Sequence, residues 1–501
     1  MTSNDPFERF AQKYNAGAPS IVQSKLPGDL ETPVSAYLKI AREKPNSFLL
    51  ESVEGGETLG RYSIIGMAPD VIWRCRGAAS EINRNAQSPD AGFSLEDGPP
   101  LENLKRLLAQ SEIDLPEDTP PMAAGVFGYL GYNMVRQLEP LGARPAGGLD
   151  TDDSIFIRPT LIIVFDNVRQ EIRFFTPIHP RADVSAADAW NAAHKRLEDG
   201  AEALNGPVPQ SAQPGRQQSD ASQGFEIKSN TTIEAFTAMV KRSIEYIRAG
   251  DIFQVVLSQR FSTPFTKPPF SLYRSLRRTN PSPFMFFLNF SEFSLVGSSP
   301  EILVRVRDGE ITIRPIAGTR RRGKTPQEDI ALEKELLADP KERAEHLMLL
   351  DLGRNDVGRA AKLGTVRPTD TFTIERYSHV MHIVSNVIGE LRSDTHPIDA
   401  VMGGFPAGTV SGAPKVRAMQ IIDELEHEAR GVYGGAIGYF SADGNVDTCI
   451  ALRTGVVKDG QLYVQAGGGI VADSHPQAEH EEAENKARAL FHAARNALSS
   501  N

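Results

Sequence analysis

A chain of 501 residues is longer than a single hydrophobic core usually supports, so two domains or one large intertwined domain are expected. Its 40% hydrophobic and 24% charged residues are typical of a globular protein and exclude the fibrous and disordered classes. The net charge of −10 argues against nucleic acid or an anionic membrane as the main partner.

The cysteines and the N-terminus predict the cellular compartment. Cys75 and Cys449 lie far apart and in no metal-ligand spacing, which indicates a reduced protein without a disulfide framework. The N-terminus lacks the features of a signal peptide, and no stretch reaches the ~18 apolar residues of a membrane span. We therefore expect a cytoplasmic protein.

The first third of the chain predicts a mixture of helix and sheet. Residues Phe48 to Gly66 form two β-like runs around a Gly-Gly pair, which favours a hairpin. A helix is expected from Leu101 to Ala109, and the apolar run Leu161 to Asp166 predicts a strand that pairs with the strand after it.

A change in composition predicts the domain boundary. An alanine-rich helix near Asp183 to Leu204 leads into a polar, proline-rich segment at Asn205 to Gly224, which we interpret as a flexible linker. The predicted division is therefore an N-terminal region over residues 1–182, a helix and linker over 183–224, and a second domain over 225–501.

The C-terminal half predicts antiparallel sheet with helices on the outside. Ile233 to Gly250 has the apolar spacing of an amphipathic helix that ends at glycine. The strands that follow have short connections, which favours antiparallel pairing. Asp339 and Pro340 predict the start of a long helix that carries Glu345 on its apolar face. The predicted fold class is therefore α+β with mostly antiparallel sheets.

Two kinds of ligand group follow each other near the C-terminus. The glycines at 467–469 predict a turn with positive φ, whose bare N–H groups suit an anion. Glu479, Glu482 and Lys486 share one face of the next helix, which suits a divalent cation. The alternative is a plain loop followed by a solvated acidic first turn.

One stretch literally matches a nucleotide-binding motif. Residues Gly318 to Thr325 read G-T-R-R-R-G-K-T, which fits the phosphate loop of a nucleotide hydrolase. Three successive arginines are bulky where that loop curls tightly, and the repeated βαβ units of that fold are missing. We keep a phosphate-loop nucleotide hydrolase as the alternative from a different class.

Further groups in the same half suit a small polycarboxylate. Phe405 to Met419 brings hydroxyl groups and Lys415 to a helix N-terminus, which is either an anion site or an ordinary capped junction. Arg453 is a cation in an apolar strand and so predicts a carboxylate partner. Oxygen ligands without paired cysteine or histidine favour Mg²⁺.

The chain resembles the chorismate-utilising enzymes, and within them most closely the large subunits (component I) of anthranilate synthase. The matching stretches are Pro315 to Thr319, Glu345 to Asp356, Val380 to Ser385, Gly408 to Lys415, Tyr433 to Tyr439, Asp447 to Arg453 and Gln465 to Val471. This resemblance implies a large intertwined α/β sandwich built on mostly antiparallel sheets with helices on the outside. It also implies the formation of anthranilate and pyruvate from chorismate and ammonia, the first committed step of tryptophan biosynthesis.

The resemblance also implies roles for individual residues. Glu345 and Glu482 correspond to the Mg²⁺ ligands, Glu342 and Glu479 would hold metal-bound water, and Lys486 would close the metal site. Glu301 corresponds to the general acid, with His382 and Thr409 near the pyruvyl group. The substrate-binding residues implied are Gly318, Thr319, Tyr433, Arg453, Gly467, Gly468 and Gly469.

Two positions discriminate within the family. Aminodeoxychorismate synthases of the common type have a nucleophilic lysine at the position of Ala317, and the water-using enzymes have a lysine base at the position of Gln254. Alanine cannot attack a ring carbon and glutamine cannot accept a proton from water, so both favour ammonia chemistry. Aminodeoxychorismate synthase component I remains the alternative within the family.

The resemblance extends to a regulatory site in the N-terminal region. Glu51 and Ser52 would bind the ammonium group of tryptophan as feedback inhibitor, and Pro283, Phe284 and Met285 would form the wall. Phe284 departs from the tyrosine common there, and the alternative is a simple hairpin edge and turn. The chain has no glutaminase nucleophile, so a glutamine amidotransferase subunit is the implied partner, in a heterotetramer of two large and two small subunits.

Overall fold

The computed structural model describes residues 5–42, 44–54, 58–209, 225–377 and 380–499. Helices and strands, both predicted from the sequence, are present throughout these ranges. The helices are α1 Pro6–Asn15, α2 Pro33–Ile40, α3 Pro100–Ala109, α4 Ala186–Asn205, α5 Ile233–Ala249, α6 Pro269–Thr279, α7 Pro326–Ala338, α8 Pro340–Gly358, α9 Pro397–Gly403, α10 Lys415–Leu425 and α11 Pro476–Ser499. Helices α3, α4, α5, α8 and α11 agree with the sequence prediction, which did not include α1 or α2.

The strands run through the whole chain. They are β1 Ser20–Pro27, β2 Ser47–Glu54, β3 Thr58–Arg76, β4 Ala79–Asn83, β5 Ser94–Glu96, β6 Gly125–Leu130, β7 Ser154–Asp166, β8 Glu171–Ile178, β9 Lys228–Ser229, β10 Gln254–Pro264, β11 Phe284–Asn289, β12 Ser294–Ser299, β13 Ile302–Arg307, β14 Glu310–Ile313, β15 Ile316–Arg321, β16 Arg367–Pro368, β17 Thr373–Arg376, β18 Val380–Val384, β19 Val387–Glu390, β20 Gly412–Ala413, β21 Ala436–Ser441, β22 Val446–Ile450, β23 Thr454–Lys458 and β24 Gln461–Ile470.

Local sequence signals explain where the helices of the site begin and end. The Thr232 hydroxyl accepts a hydrogen bond from the Ala235 amide, and α5 ends at Gly250 in the left-handed conformation with φ of 82°. The Asp339 carboxylate accepts hydrogen bonds from the first amides of α8. The Asp339 cap therefore fixes where α8 begins, and with it the position of Glu345 along the helix.

Two sheets form the framework, and every strand pairing among the described residues is antiparallel. In the large sheet, β2 pairs with both β3 and β11, and β6 pairs with β21. The small sheet has the order β15, β18, β17. Helices α6 and α11 bury their apolar faces on the large sheet, where Leu276 and Leu490 are fully buried. The predicted α+β sandwich with mostly antiparallel sheets is confirmed.

The predicted phosphate loop has a different structure. Residues Ile316–Arg321 form β15, which pairs antiparallel with β18, and the Thr325 hydroxyl caps α7 by accepting from the Glu328 amide. A phosphate loop needs a parallel sheet, and the described strand pairings include none. The nucleotide-hydrolase alternative is therefore wrong, because the motif match arose from a strand followed by an ordinary capped helix.

The domain boundaries stay a prediction. Strands from residues 1–182 and from 225–501 pair in one sheet. Most of the predicted linker, residues 210–224, lies outside the described residues, as does the Gly55-Gly56 turn of the predicted hairpin. Among the described residues, no helix is both long and apolar enough to cross a membrane.

Candidate active site

Three glycines of β24 form one wall of the candidate site. Gly467, Gly468 and Gly469 have extended backbone within the strand, and none has positive φ. A Cβ at Gly467 would lie 2.0 Å from the Leu257 carbonyl oxygen, and one at Gly469 would lie 2.4 Å from Nε2 of Gln254. The predicted turn is therefore wrong: glycine is needed here because β10 approaches closely, not because φ is positive.

Lys486 connects this wall to helix α11. Its Nζ donates a hydrogen bond of 2.9 Å to the Gly467 carbonyl oxygen. The same ammonium lies 2.7 Å from Oε1 of Glu482, one helical turn away. Lys486 therefore links the glycine wall to the acidic face of α11, which the sequence predicted separately.

The predicted metal ligands lie on two facing helices, α8 and α11. Burial raises the pKa of Glu345, and the neighbouring Glu342 and Glu482 charges raise it further. Burial also raises the pKa of Glu479, with Glu482 adding to the effect. Mutual repulsion of this kind shows that the four carboxylates lie near one another across the two helices.

These carboxylates suit a divalent cation, although they are not gathered around one point. Among the residues described, no group of three or more acidic, histidine or cysteine side chains converges on a metal position. Glu342 is bound to Arg320 at 2.9 Å, and Glu482 to Lys486. However, Oε2 of Glu479 is buried without a hydrogen-bond partner in the described chain. An orphaned carboxylate oxygen beside three other acids fits Mg²⁺, which prefers oxygen ligands.

Glu301 is a buried acid at the start of β13. Its side chain accepts hydrogen bonds from the Thr409 hydroxyl, 3.3 Å from Oε2 and 3.4 Å from Oε1. Burial raises the pKa of Glu301 to about 8, and the hydrogen bond from Thr409 only partly opposes this. Glu301 is therefore mostly protonated at neutral pH and can act as a general acid.

His382 and Thr319 are cross-strand partners in the small sheet. Nδ1 of His382 lies 3.1 Å from the Thr319 hydroxyl and 3.1 Å from the Gly318 carbonyl oxygen. Because a carbonyl only accepts, this contact favours the proton on Nδ1. Gly318 has φ of 69° at an irregularity in the β15–β18 register, a conformation that favours glycine.

Tyr433 and Arg453 lie on loops beside the large sheet. Arg453 was predicted inside a strand, but it lies at the bend between β22 and β23 with φ of 47°. That prediction was wrong because the apolar residues on both sides belong to two strands. Burial lowers the pKa of Arg453, and no carboxylate of the described residues is within ion-pair distance of its guanidinium. Burial raises the pKa of Tyr433 to about 12.

Charge effects connect these separate elements into one region. Burial lowers the pKa of His382, and the Arg453 charge lowers it further. The Glu482 carboxylate adds to the burial effect that raises the pKa of Tyr433. His382 therefore lies within electrostatic range of Arg453, and Tyr433 within range of the Glu482 carboxylate.

A separate cavity of about 260 Å³ lies next to β2 and β11. Of the residues predicted to bind tryptophan, Glu51, Ser52, Phe284 and Met285 line this cavity. Pro283 directly precedes β11 but is not part of the lining. Across β2 and β11, Glu51 is the register partner of Met285 and Ser52 that of Phe284.

The Glu51 carboxylate already has protein partners. Arg277 donates to both of its oxygens, at 2.8 Å from Nε and 3.0 Å from Nη2, and the Tyr273 hydroxyl donates to Oε2. Other charged groups line the same cavity, namely Arg61, Arg305, Arg307 and Asp447. Sequence reasoning missed these four, although the alternation R-V-R in β13 puts two arginines on one face of a strand.

Comparison with known proteins agrees with the resemblance found in the sequence. The family model for "chorismate binding enzyme" matches residues 47–492. Anthranilate synthase component 1 of Cereibacter sphaeroides is 55% identical over 497 residues, covering 99% of this chain and 98% of that protein. The protein of that name from Pseudomonas putida is 47% identical over 478 residues, covering 93% of both.

Solved structures agree in fold. Anthranilate synthase component I from Streptococcus pneumoniae TIGR4 superimposes with a TM-score of 0.76 at 36% identity, covering 93% of this chain and 98% of that chain. The menaquinone-specific isochorismate synthase of Escherichia coli has a TM-score of 0.70 at 18% identity, covering 98% of both, which shows a shared fold alone. With a buried acid, a glycine wall and facing carboxylates of the predicted kind, and with a family model matched over most of its length, this chain belongs to the chorismate binding enzyme family.

Proposed function

We propose that this chain is a lyase that converts chorismate and ammonia into anthranilate, pyruvate and water, as component I of an anthranilate synthase. The observation that carries the proposal is Glu301, a buried carboxyl group held protonated at neutral pH beside the Thr409 hydroxyl. Such an acid is what removal of a ring hydroxyl requires. The names of the nearly full-length relatives support the same reaction.

Chorismate carries two carboxylates, and the site offers a different environment for each. Arg453 and Tyr433, with the backbone of Gly467 to Gly469, would bind the enolpyruvyl carboxylate. Gly318 and Thr319 would line the ring. Arg453 suits this role because its guanidinium lacks a carboxylate partner among the described residues, and a ligand carboxylate would supply one.

The proton transfers can be assigned to residues of this chain. Glu301 gives its proton to the 4-hydroxyl group as that group leaves as water, while ammonia adds at C2 and the ring double bonds shift. The added ammonium group loses a proton, which restores the Glu301 acid. The C2 proton then passes to His382 as the bond from C3 to the enolpyruvyl oxygen breaks, and His382 returns it to the leaving group, so that pyruvate departs as its enol and the ring becomes aromatic. Neutral His382 and the Thr409 hydroxyl lie on the pyruvyl side in this assignment.

Magnesium held by Glu345 and Glu482, with Glu342 and Glu479 for its water ligands, would neutralise the ring carboxylate of chorismate. Lys486 would close this end of the site, since it already contacts Glu482 and the Gly467 carbonyl oxygen.

Two side chains favour attack by ammonia at C2 over the chemistry of related enzymes. Ala317 is buried in β15 and provides no nucleophile for a 4-amino product. Gln254 forms a hydrogen bond with Glu345, and its amide cannot act as a base toward water. These features favour anthranilate formation over aminodeoxychorismate or isochorismate formation.

A direct assay tests the proposal. We expect the purified chain to produce anthranilate fluorescence when it is given chorismate, MgCl₂ and an ammonium salt, and none when ammonium is left out. Chromatography of the same mixture identifies any 4-amino-4-deoxy product, and phosphate release from ATP is measured in parallel. A non-fluorescent aminated product, or no product at all, would overturn the proposed function.

In this proposal, the release of ammonia from the side-chain amide of glutamine requires a second protein. Burial raises the pKa of the Cys75 thiol to about 12 and raises that of Cys449 as well, so neither is an activated nucleophile. A glutamine amidotransferase subunit would supply ammonia, in a heterotetramer of two large and two small subunits. Both thiols are free, which suits the reducing cytoplasm as the place of action.

Tryptophan is the proposed inhibitor, bound in the cavity beside β2. Phe284 lines that cavity, so Phe284→Ala should weaken tryptophan inhibition by about tenfold or more through lost apolar contact area. The chorismate KM should not change, because Phe284 lies outside the candidate active site. The measurement is the tryptophan concentration that halves the rate of anthranilate formation.

Phe93→Ala is the control for that experiment, because Phe93 is partly exposed and lies outside the cavity lining. It should keep the wild-type response to tryptophan. Equal inhibition of wild type and Phe284→Ala would argue against this cavity as the tryptophan site.

A further inference from the structure

A buried ion pair lies directly behind the candidate substrate site. Arg430 follows α10 and is only 4% exposed. Its Nε and Nη2 donate to the two carboxylate oxygens of Glu426, at 2.8 and 2.6 Å. Its remaining donors bind two backbone carbonyls, Nη1 to Val410 at 2.6 Å and Nη2 to Val256 at 2.7 Å. The guanidinium therefore binds three separate segments of the chain at once.

The partner carboxylate and two aromatic rings complete this cluster. Oε1 of Glu426 accepts hydrogen bonds from the Ser258 amide at 2.8 Å and the Ser258 hydroxyl at 2.9 Å. The Arg430 guanidinium carbon lies 4.7 Å from the centre of the Tyr132 ring and 5.5 Å from that of the Tyr433 ring. Cations at this distance from an aromatic face attract the ring, so the pair also holds Tyr433.

The segments that this pair binds are the ones that carry the proposed substrate contacts. The carbonyl bound by Nη1 belongs to the residue after Thr409. Across the β10–β24 ladder, Val256 is opposite Gly469 and Ser258 is opposite Gly467. Displacing the pair would therefore move a hydroxyl group, an aromatic ring and the glycine wall together.

A buried ion pair is a poor device for stability alone. Removing two charges from water is costly, and apolar residues of similar volume often stabilise a fold at least as well. The benefit of this pair is geometric, because a planar guanidinium with five donors can fix several acceptors in one arrangement. Lysine has one point charge and cannot reproduce that set of contacts.

We propose that Arg430 and Glu426 form a positioning pair that sets the geometry of the enolpyruvyl-carboxylate end of the site without touching the substrate. This inference rests on the proposed function, since it needs Thr409, Tyr433 and the glycine wall to contact chorismate. The pair acts on substrate binding and alignment at that end of the site.

The test is a steady-state comparison of Arg430→Lys and Ser258→Ala with wild type. Arg430→Lys should raise the chorismate KM by about tenfold or more, since small misplacements of binding groups cost large factors in rate. Ser258→Ala removes one hydrogen bond to Glu426 and the bond that the Ser258 hydroxyl accepts from Gln465. It should raise the chorismate KM less, because the guanidinium contacts of Arg430 remain. The ammonium KM should stay at the wild-type value, which general loosening of the fold would not predict.

Arg158→Lys is the matched control. Arg158 binds both Asp70 oxygens, at 2.9 and 2.8 Å, but joins β3 to β7 away from the site. It should lower the melting temperature and leave the chorismate KM unchanged. If Arg430→Lys does not fold, as judged by circular dichroism, Ser258→Ala decides the question.

Failure of the proposed function and failure of the positioning role give different results. Absence of anthranilate from the wild-type chain would overturn the proposed function. Wild-type turnover together with an unchanged chorismate KM in the folded variants would overturn the positioning role alone.

Discussion

Replacing Glu301 by glutamine should abolish almost all anthranilate formation while leaving the chain folded. Glutamine keeps the shape of the buried side chain and its contact with Thr409, but it cannot give a proton to the departing hydroxyl group. Loss of a general acid costs roughly 10²–10⁴-fold in rate. The measurement is kcat at saturating chorismate, with circular dichroism to verify the fold.

The pH dependence gives an independent test of the same group. An acid with a pKa of about 8 is protonated below pH 8, so wild-type activity should fall as the pH rises through that value. The concentration of unprotonated ammonia must be kept constant in this series. Because the Thr409 hydroxyl lowers the pKa of Glu301, Thr409→Ala should move the alkaline limb of the profile to higher pH.

Glu310→Gln is the control for Glu301, because Glu310 is an exposed acid on the adjacent strand β14. It should leave both kcat and the pH profile unchanged. Level wild-type activity far above pH 8, or a Glu301→Gln variant with normal kcat, would contradict the role of Glu301 as the acid.

Replacing Glu482 by glutamine should abolish magnesium-dependent turnover. The variant loses one negative charge from the proposed metal site, and we expect a loss of roughly a hundredfold or more in kcat/KM. The half-exposed ion pair of Glu482 with Lys486 contributes little to stability, so the melting temperature should change little. Calorimetric titration with MgCl₂ measures the metal affinity independently of activity.

Glu484→Gln provides the comparison, because Glu484 is an exposed acid on the same helix. It has the same change in charge and should keep wild-type Mg²⁺ affinity and turnover. Equal Mg²⁺ affinity of wild type and Glu482→Gln would remove Glu482 from the metal site.

Local signals in the sequence were sufficient for the helices and strands around the site. Capping residues such as Asp339 predicted where α8 begins, and periodic apolar residues predicted α5 with its end at Gly250. Short connections between strands predicted antiparallel pairing, which every described strand pair has. These features depend on neighbours in the chain, and they are therefore readable without the tertiary structure.

Features that depend on distant residues were read wrongly or not at all. Glycine permits both positive φ and close backbone contact, and only the approach of β10 decides between them at Gly467. The bend at Arg453 could not be recognised from the sequence because the strands on both sides of it are apolar. Glu426 and Arg430 have the spacing of an ordinary surface pair on a helix, and their burial depends on β10 and the loop near Thr409.

The shared sheet has a consequence for how this protein folds during synthesis. Strand β2 lies between β3 and β11, and β6 between β7 and β21, so residues near 50 and 127 have partners near 286 and 438. While the ribosome is still making the middle of the chain, these strands have open edges that can pair with other molecules. Such long-range pairing folds slowly. The last strand to be made, β24, carries the glycine wall, so the nascent chain cannot bind substrate before its sheet is nearly complete.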